Sequence, residues 1–159
     1  VVSTQSTGDY FKERMAKHID FVQQKAEVLQ AKYNFSDDYL KAVKLHDSSK
    51  YEEPQLTPYI WLTAHLNLNV EYPDEATKKS VSKAITNHHK TNDHHPQFYK
   101  NPNQMSYEQT AHMVADTAAM SAEFGTSLVE WWDNKGFKLT KFDNQHIEWI
   151  KEFVACFEK

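Results

Sequence analysis

Residues 44–51, KLHDSSKY, place two metal-ligand side chains, His46 and Asp47, side by side, with Lys50 three positions on. An imidazole offers one nitrogen lone pair and a carboxylate two oxygens, so the pair suits a metal ion as well as a solvated helix face. Nine histidines are present, and four of them, His88, His89, His94 and His95, fall within eight residues. His18 lies on an apolar stripe, seven residues after Phe11 and four before Val22. Asp116 shares a helical face with Met113, Thr117 and Met120. A buried imidazole or carboxylate without a partner is costly, and a lone histidine on an apolar face is more often a hydrogen-bonded core residue. Here His18, His46, Asp47, His88 or His89, and Asp116 fall on the apolar faces of different segments, and that recurrence shifts the balance. Two carboxylates in one core repel, and the only arginine is Arg14. A bound cation is then the simplest neutraliser. Imidazole and carboxylate ligands without thiolates suit Fe, Mn, Mg, Co or Ni, and Zn in an open catalytic geometry.

The elements that must position these residues read as helices. Three glycines, five prolines and few β-branched runs favour long regular segments, and the expected class is all-α, six or seven helices in one domain of 159 residues. A first helix from about Asp9 to Lys32 carries Phe11, Met15, Ile19, Val22, Ala26 and Leu29 at spacings of three and four. A second runs from about Asp38 to Lys50, with Leu40, Val43, His46 and Asp47 facing inward. A third spans about Tyr59 to Asn69, with Ile60, Leu62, Leu66 and Leu68 apolar and His65 facing the core. Pro73 and Asp74 open a fourth, whose stripe is Val81, Ala84, Ile85 and His88. The stretch KTNDHHPQFYKNPNQ is a loop that can fold over a site. Ser106 and Gln109 form a capping box ahead of a long helix to Phe124. A short helix ends near Gly136, and a last one from about Asp143 buries Ile147, Ile150, Val154 and Phe157.

The order His, His-Asp, His, Asp resembles the HD-domain superfamily of metal-dependent phosphohydrolases. The matching residues are His18 in KHIDFV, His46 and Asp47 in KLHDSSK, and Asp116 in MVADTAA, with Lys50 in the lysine position. The stretches HHKTNDHHP (88–96) and MVAD (113–116) make the chain most similar to a small group of HD-like proteins of bacteria and phages without assigned function. The resemblance covers about residues 11–124, with the helices of 126–157 packing on that core. It implies an HD-like helical bundle around one or two divalent ions, with His18, His46, Asp47 and Asp116 as ligands of the first. His88, His89, His94 and His95 are the candidates for further ligands, one from each pair. It also implies hydrolysis of a phosphate ester, on a nucleotide or small phosphorylated metabolite, by a metal-activated water. In that chemistry Lys50 contacts a phosphoryl oxygen or orients Asp47, and His94 or His95 protonates the leaving oxygen. An HD-fold di-iron oxygenase and a non-catalytic nucleotide- or metal-binding module are the alternatives.

Other residues admit plainer readings. Lys79, Lys83 and Lys90 can line an anionic entrance, but the simpler reading is a solvated face. Tyr59, Trp61 and Tyr99 are packing residues before they are base-stacking ones, and Trp131 and Trp132 dock the short helix. His112, one turn before Asp116, is either a ligand's partner or exposed, and His146 stands outside the site. A formal charge of −4 with interspersed signs disfavours general nucleic-acid binding. No apolar run approaches the ~20 residues needed to span a bilayer, and the start VVSTQSTGDYFKER lacks a secretion signal's apolar run. The single cysteine, Cys156, has no partner for an internal disulfide, which fits a cytoplasmic setting. An oligomer is compatible with all of this.

Overall fold

The computed structural model describes residues 4–158; among them every regular element is helical and no strand occurs, as composition implied. No helix among the described residues is long and apolar enough to cross a membrane. The helices are α1 (Thr4–Tyr33), α2 (Asp37–Lys44), α3 (Leu56–Leu68), α4 (Glu75–Thr91), α5 (Tyr107–Phe124), α6 (Leu128–Trp131), α7 (Phe137–Leu139) and α8 (Asn144–Ala155). Single 3-10 turns cover Ser48–Tyr51, Pro96–Phe98 and Pro102–Gln104. Chain contacts group these elements into two units.

The first unit holds the described residues up to Lys17 together with Asp47–Asn92. Its part of α1 buries Phe11 and Met15, and Phe11 meets Tyr51 edge-on at 6.2 Å. α3 packs along α4. The stripe expected on α3 is corrected: Leu66 and Leu68 are exposed, and Pro58, Tyr59 and Ala64 face inward instead. The helix begins three residues before the expected Tyr59. His65 is likewise exposed rather than in the core, with Nδ1 2.9 Å from the Val70 carbonyl and its ring stacked on Tyr72. α4 starts where Asp74 accepts from the Thr77 amide at 2.7 Å, and Val81, Ala84 and His88 are its buried stripe.

The second unit holds His18–His46 and the described residues from Asp93 onward. Its core joins the later turns of α1 to α2, α5 and α8 through Leu29, Phe35, Tyr39, Val114, Ile150 and Phe153. α1 stops at Asn34, whose φ of 50° leaves the helical region. Ser36 then heads α2 without capping it by its side chain; its amide and hydroxyl both go to Glu108. α5 has the expected capping box between Ser106 and Gln109. It ends at Gly125, where φ of 65° favours a residue without Cβ. The segment after α6 does not stop at Gly136: a π-turn at Trp132–Gly136 leads directly into α7. A Cβ at Gly136 would lie 2.3 Å from the Trp132 ring, so only glycine fits against it. Trp132 is buried and donates from Nε1 to Thr117 at 3.0 Å, which docks this segment on α5. α8, capped by Asp143, packs along α5.

Candidate metal centre

His46 and Asp47 are not helical, contrary to the periodicity argument. α2 ends at Lys44; the His46 amide donates back to the Val43 carbonyl at 3.1 Å, and Asp47 takes a left-handed φ of 55°. Aspartate tolerates that conformation better than most residues. The turn throws Leu45 outward and both His46 and Asp47 inward, each only 2 % exposed. The expectation of burial was right, but the reason is a tight reversal. Leu40, expected inside, is exposed, and Tyr39 takes the inner position with Val43.

In the second unit, four imidazoles and two carboxylates converge. α1 supplies His18, the turn after α2 supplies His46, and the turn before Pro96 supplies His94. α5 supplies His112, Asp116 and Glu123, which lie on one face at spacings of four and seven. His18 Nε2 lies 3.2 Å from His46 Nε2 and 3.1 Å from Asp116 Oδ1, and His46 Nε2 is 3.6 Å from the same oxygen. His94 Nε2 approaches the other oxygen, Oδ2, at 3.6 Å. Two imidazole nitrogens and one carboxylate oxygen therefore point at one spot. Ligands bonded to one ion at roughly 2.0–2.1 Å stand about 2.8–3.4 Å apart in octahedral or tetrahedral geometry; the 3.1 and 3.2 Å separations lie in that span and the 3.6 Å one just beyond it, so a small closure lets this set hold a metal. His46, His94 and His112, all buried, form a further group whose ligand atoms lie within 4.8 Å of one another.

The other ring nitrogens are held from behind. His18 Nδ1 donates to Glu123 Oε2 at 3.1 Å, and His46 Nδ1 shares a 2.9 Å hydrogen bond with His112 Nε2. Such partners fix ring orientation and tautomer at metal sites. His112 is thus a buried partner of His46, which settles the alternative left open by its sequence position. Glu123 was missed by sequence reasoning; its signal was its place seven residues after Asp116, on the same helical face. Burial opposes charge on His18, but the hydrogen bonds to Asp116 and Glu123 outweigh it and raise its pKa to about 9. Burial also opposes ionisation of Asp116, yet the neighbouring His46 and His18 hold its carboxyl well below the usual carboxylate range.

The first unit holds a smaller constellation. Asp47 Oδ1 lies 3.1 Å from His88 Nε2, and Lys50 reaches Asp47 Oδ2 at 3.0 Å. The Lys50 ammonium also sits 4.6 Å above the Tyr59 ring. His88, 2 % exposed, is held from behind by Gln55, Ser49 and Asn92. His89, a candidate ligand, is half-buried with its ring centre 6.1 Å from that of His88, and it belongs to none of the ligand groups found among the described residues. One residue along a helix is a rotation of about 100°, and His88 takes the inward position. In the second unit the His95 ring is tilted 41° against that of His94, with centres 4.3 Å apart, and is less buried. Lys79, Lys83 and Lys90 are exposed. His146 is buried elsewhere, between Asp143 and the Met105 carbonyl.

A family model described as a family of unknown function (DUF5662) matches residues 8–155, and the chain belongs to that family. Neither a curated protein nor a solved structure matches the chain.

Proposed function

We propose that this member of the family is a metal-dependent phosphohydrolase of the HD type, acting on a small phosphorylated metabolite. The observation that supports it best is the convergence of His18 Nε2, His46 Nε2 and Asp116 Oδ1 within 3.1–3.6 Å, with Glu123 and His112 behind the two imidazoles. Those three side chains, with His94, hold the ion in this reading. A divalent ion held there supplies Lewis acidity and lowers the pKa of water at neutral pH. The resemblance assigns Asp47 as a further ligand and His88 as a candidate for a second ion.

The remaining roles belong to the chain's own groups. Lys50, held by Asp47 and the Tyr59 ring, presents an ammonium that can neutralise a phosphoryl oxygen. His95 is less buried than His94, so it suits proton delivery to the leaving oxygen better. His94, packed among His46 and His112 with its Nε2 toward Asp116, suits ligation better than acid–base work.

The test is turnover of chromogenic phosphate monoesters and diesters with Mn²⁺ or Co²⁺, alongside metal content. Wild type should turn over; Asp47→Ala should lose metal and activity together; Lys50→Ala should keep its metal and lose turnover. Full metal content in Asp47→Ala would remove Asp47 from the ligand set. The nitrogen-rich donors also suit an iron pair, so a mixed-valent EPR signal together with no phosphate release would move the reading to oxygen chemistry.

A further inference from the structure

His88 is surrounded on every side by polar partners, and their hydrogens can be assigned in sequence. Gln55, itself buried, uses its amide nitrogen toward Asn87 Oδ1 at 2.9 Å and Thr91 Oγ1 at 3.3 Å. Its oxygen Oε1 is therefore the end that faces inward, where it accepts from Ser49 Oγ at 3.0 Å and lies 2.9 Å from His88 Nδ1. An amide oxygen only accepts, so His88 Nδ1 carries a hydrogen. Asn92 Nδ2 also lies 3.1 Å from His88 Nδ1, but it sits 2.9 Å from both the His88 carbonyl and Ser49 Oγ, which take its two hydrogens and leave none for Nδ1. The opposite nitrogen, Nε2, then turns to Asp47 Oδ1 at 3.1 Å. A ring nitrogen lone pair and a carboxylate oxygen at that distance repel unless a proton or a cation lies between them.

We propose that Gln55 is the positioning residue of His88: its carbonyl keeps the hydrogen on Nδ1, so that Nε2 and the Asp47 carboxylate form a pair that takes a divalent cation. This rests on the metal-dependent reading above. It accounts for His88 as the working member of the double histidine: its ring is buried, with the Gln55 carbonyl as an acceptor behind it. The arrangement parallels the placement of Glu123 behind His18, but with a neutral amide.

The experiment uses the full chain with ¹⁵N-labelled histidine, comparing wild type with Gln55→Met, which keeps the volume and removes both amide groups, and Gln55→Glu, which keeps an acceptor. Long-range ¹H–¹⁵N correlations of metal-free and Zn²⁺-loaded protein read the His88 tautomer, and Zn²⁺ titration reads stoichiometry. Wild type should show a protonated Nδ1 in both states and a Zn²⁺-shifted Nε2 when loaded. Gln55→Met should mix the tautomers and weaken Zn²⁺ at His88 about 10–100-fold, leaving the His18 and His46 signals shifted as before; Gln55→Glu should restore the Nδ1–H form. A wild-type His88 protonated on Nε2 alone, or a Gln55→Met protein with unchanged tautomer and affinity, overturns the proposal. If wild type takes up no metal at all, the phosphohydrolase reading fails, and the tautomers in metal-free wild type and Gln55→Met still decide whether Gln55 positions His88.

Discussion

The two histidine clusters differ in the charge that stands behind and beside the imidazoles. In the second unit His18 is backed by a carboxylate, Glu123, and faces another, Asp116. In the first, His88 is backed by an amide, Gln55, and faces Asp47, whose charge is already matched by Lys50 at 3.0 Å. Both arrangements orient a ring nitrogen. Only the former also supplies two negative charges, enough to balance a divalent cation. A carboxylate behind an imidazole further raises its donor strength, which an amide does less. Orientation and charge are thus separable, and the protein uses each in a different place. The second unit should hold a dication more tightly than the first.

Removing the charge that faces the imidazoles should have the largest effect. Asp116→Ala should lose the tighter equivalent of metal and, with it, the stabilisation that metal gives to the folded state. Ligand linkage puts that at about 2.7 kcal/mol when free metal is a hundred times Kd. Thermal melts with and without Mn²⁺, with metal analysis of the dialysed protein, measure both. Retention of tight metal in Asp116→Ala would dissolve the contrast between the clusters.

Glu123→Gln comes next, because it changes the charge behind His18 while preserving an acceptor. Metal affinity in the second unit should drop by about 10–100-fold. The matching change in the first unit, Gln55→Glu, adds charge and should not weaken binding there. If Glu123→Gln binds as wild type does, orientation alone suffices and charge is dispensable.

The pH response tests the same point with no substitution. In the metal-free protein the His18 pKa is raised from 6.5 to about 9, chiefly by Asp116 and Glu123 against an opposing burial. A raised folded-state value stabilises: the contribution is complete below about 6.5, the unfolded value, and disappears as pH climbs through about 9. Asp116 is shifted the other way, so its contribution is present above the ordinary carboxylate range and is lost as pH falls through its lowered folded-state value. Metal-free protein should therefore be most stable in mildly acidic solution and lose stability between pH 6.5 and 9, as read by denaturant melts. A metal must displace the His18 proton, so apparent affinity should rise by up to about tenfold per pH unit until about 9 and then level off. Glu123→Gln should move that levelling to lower pH.

Sequence patterning revealed the helices that carry the sites better than the turns between them. The stripe of α1, the capping box of α5 and the cap of α4 follow local rules, and each is present. His46 and Asp47 were singled out from residue type, yet their burial depends on a reversal after Lys44 that periodicity does not encode. α3 misled because Leu66 and Leu68 are exposed while Tyr59 and Ala64 pack inward; tertiary contact with α4 overrode the apolar count. The residues behind the imidazoles were the least legible. Gln55 is a common polar residue in a turn, and its role depends on His88, 33 positions away in the chain. Glu123 was accessible in principle from the face it shares with Asp116.

The smallest effect should come from His65, and it sharpens the comparison by showing that histidine number is not what matters. His65 is exposed on α3, stacked on Tyr72, with one hydrogen bond to a neighbouring carbonyl. No carboxylate stands beside or behind it in those contacts, so it has the orientation of a ligand without the charge. His65→Gln should leave metal stoichiometry and turnover unchanged and alter stability by no more than about 0.5 kcal/mol. A clear loss of bound metal would mean that an imidazole outside both clusters takes part, and that a carboxylate partner is not what makes a histidine in this chain a ligand.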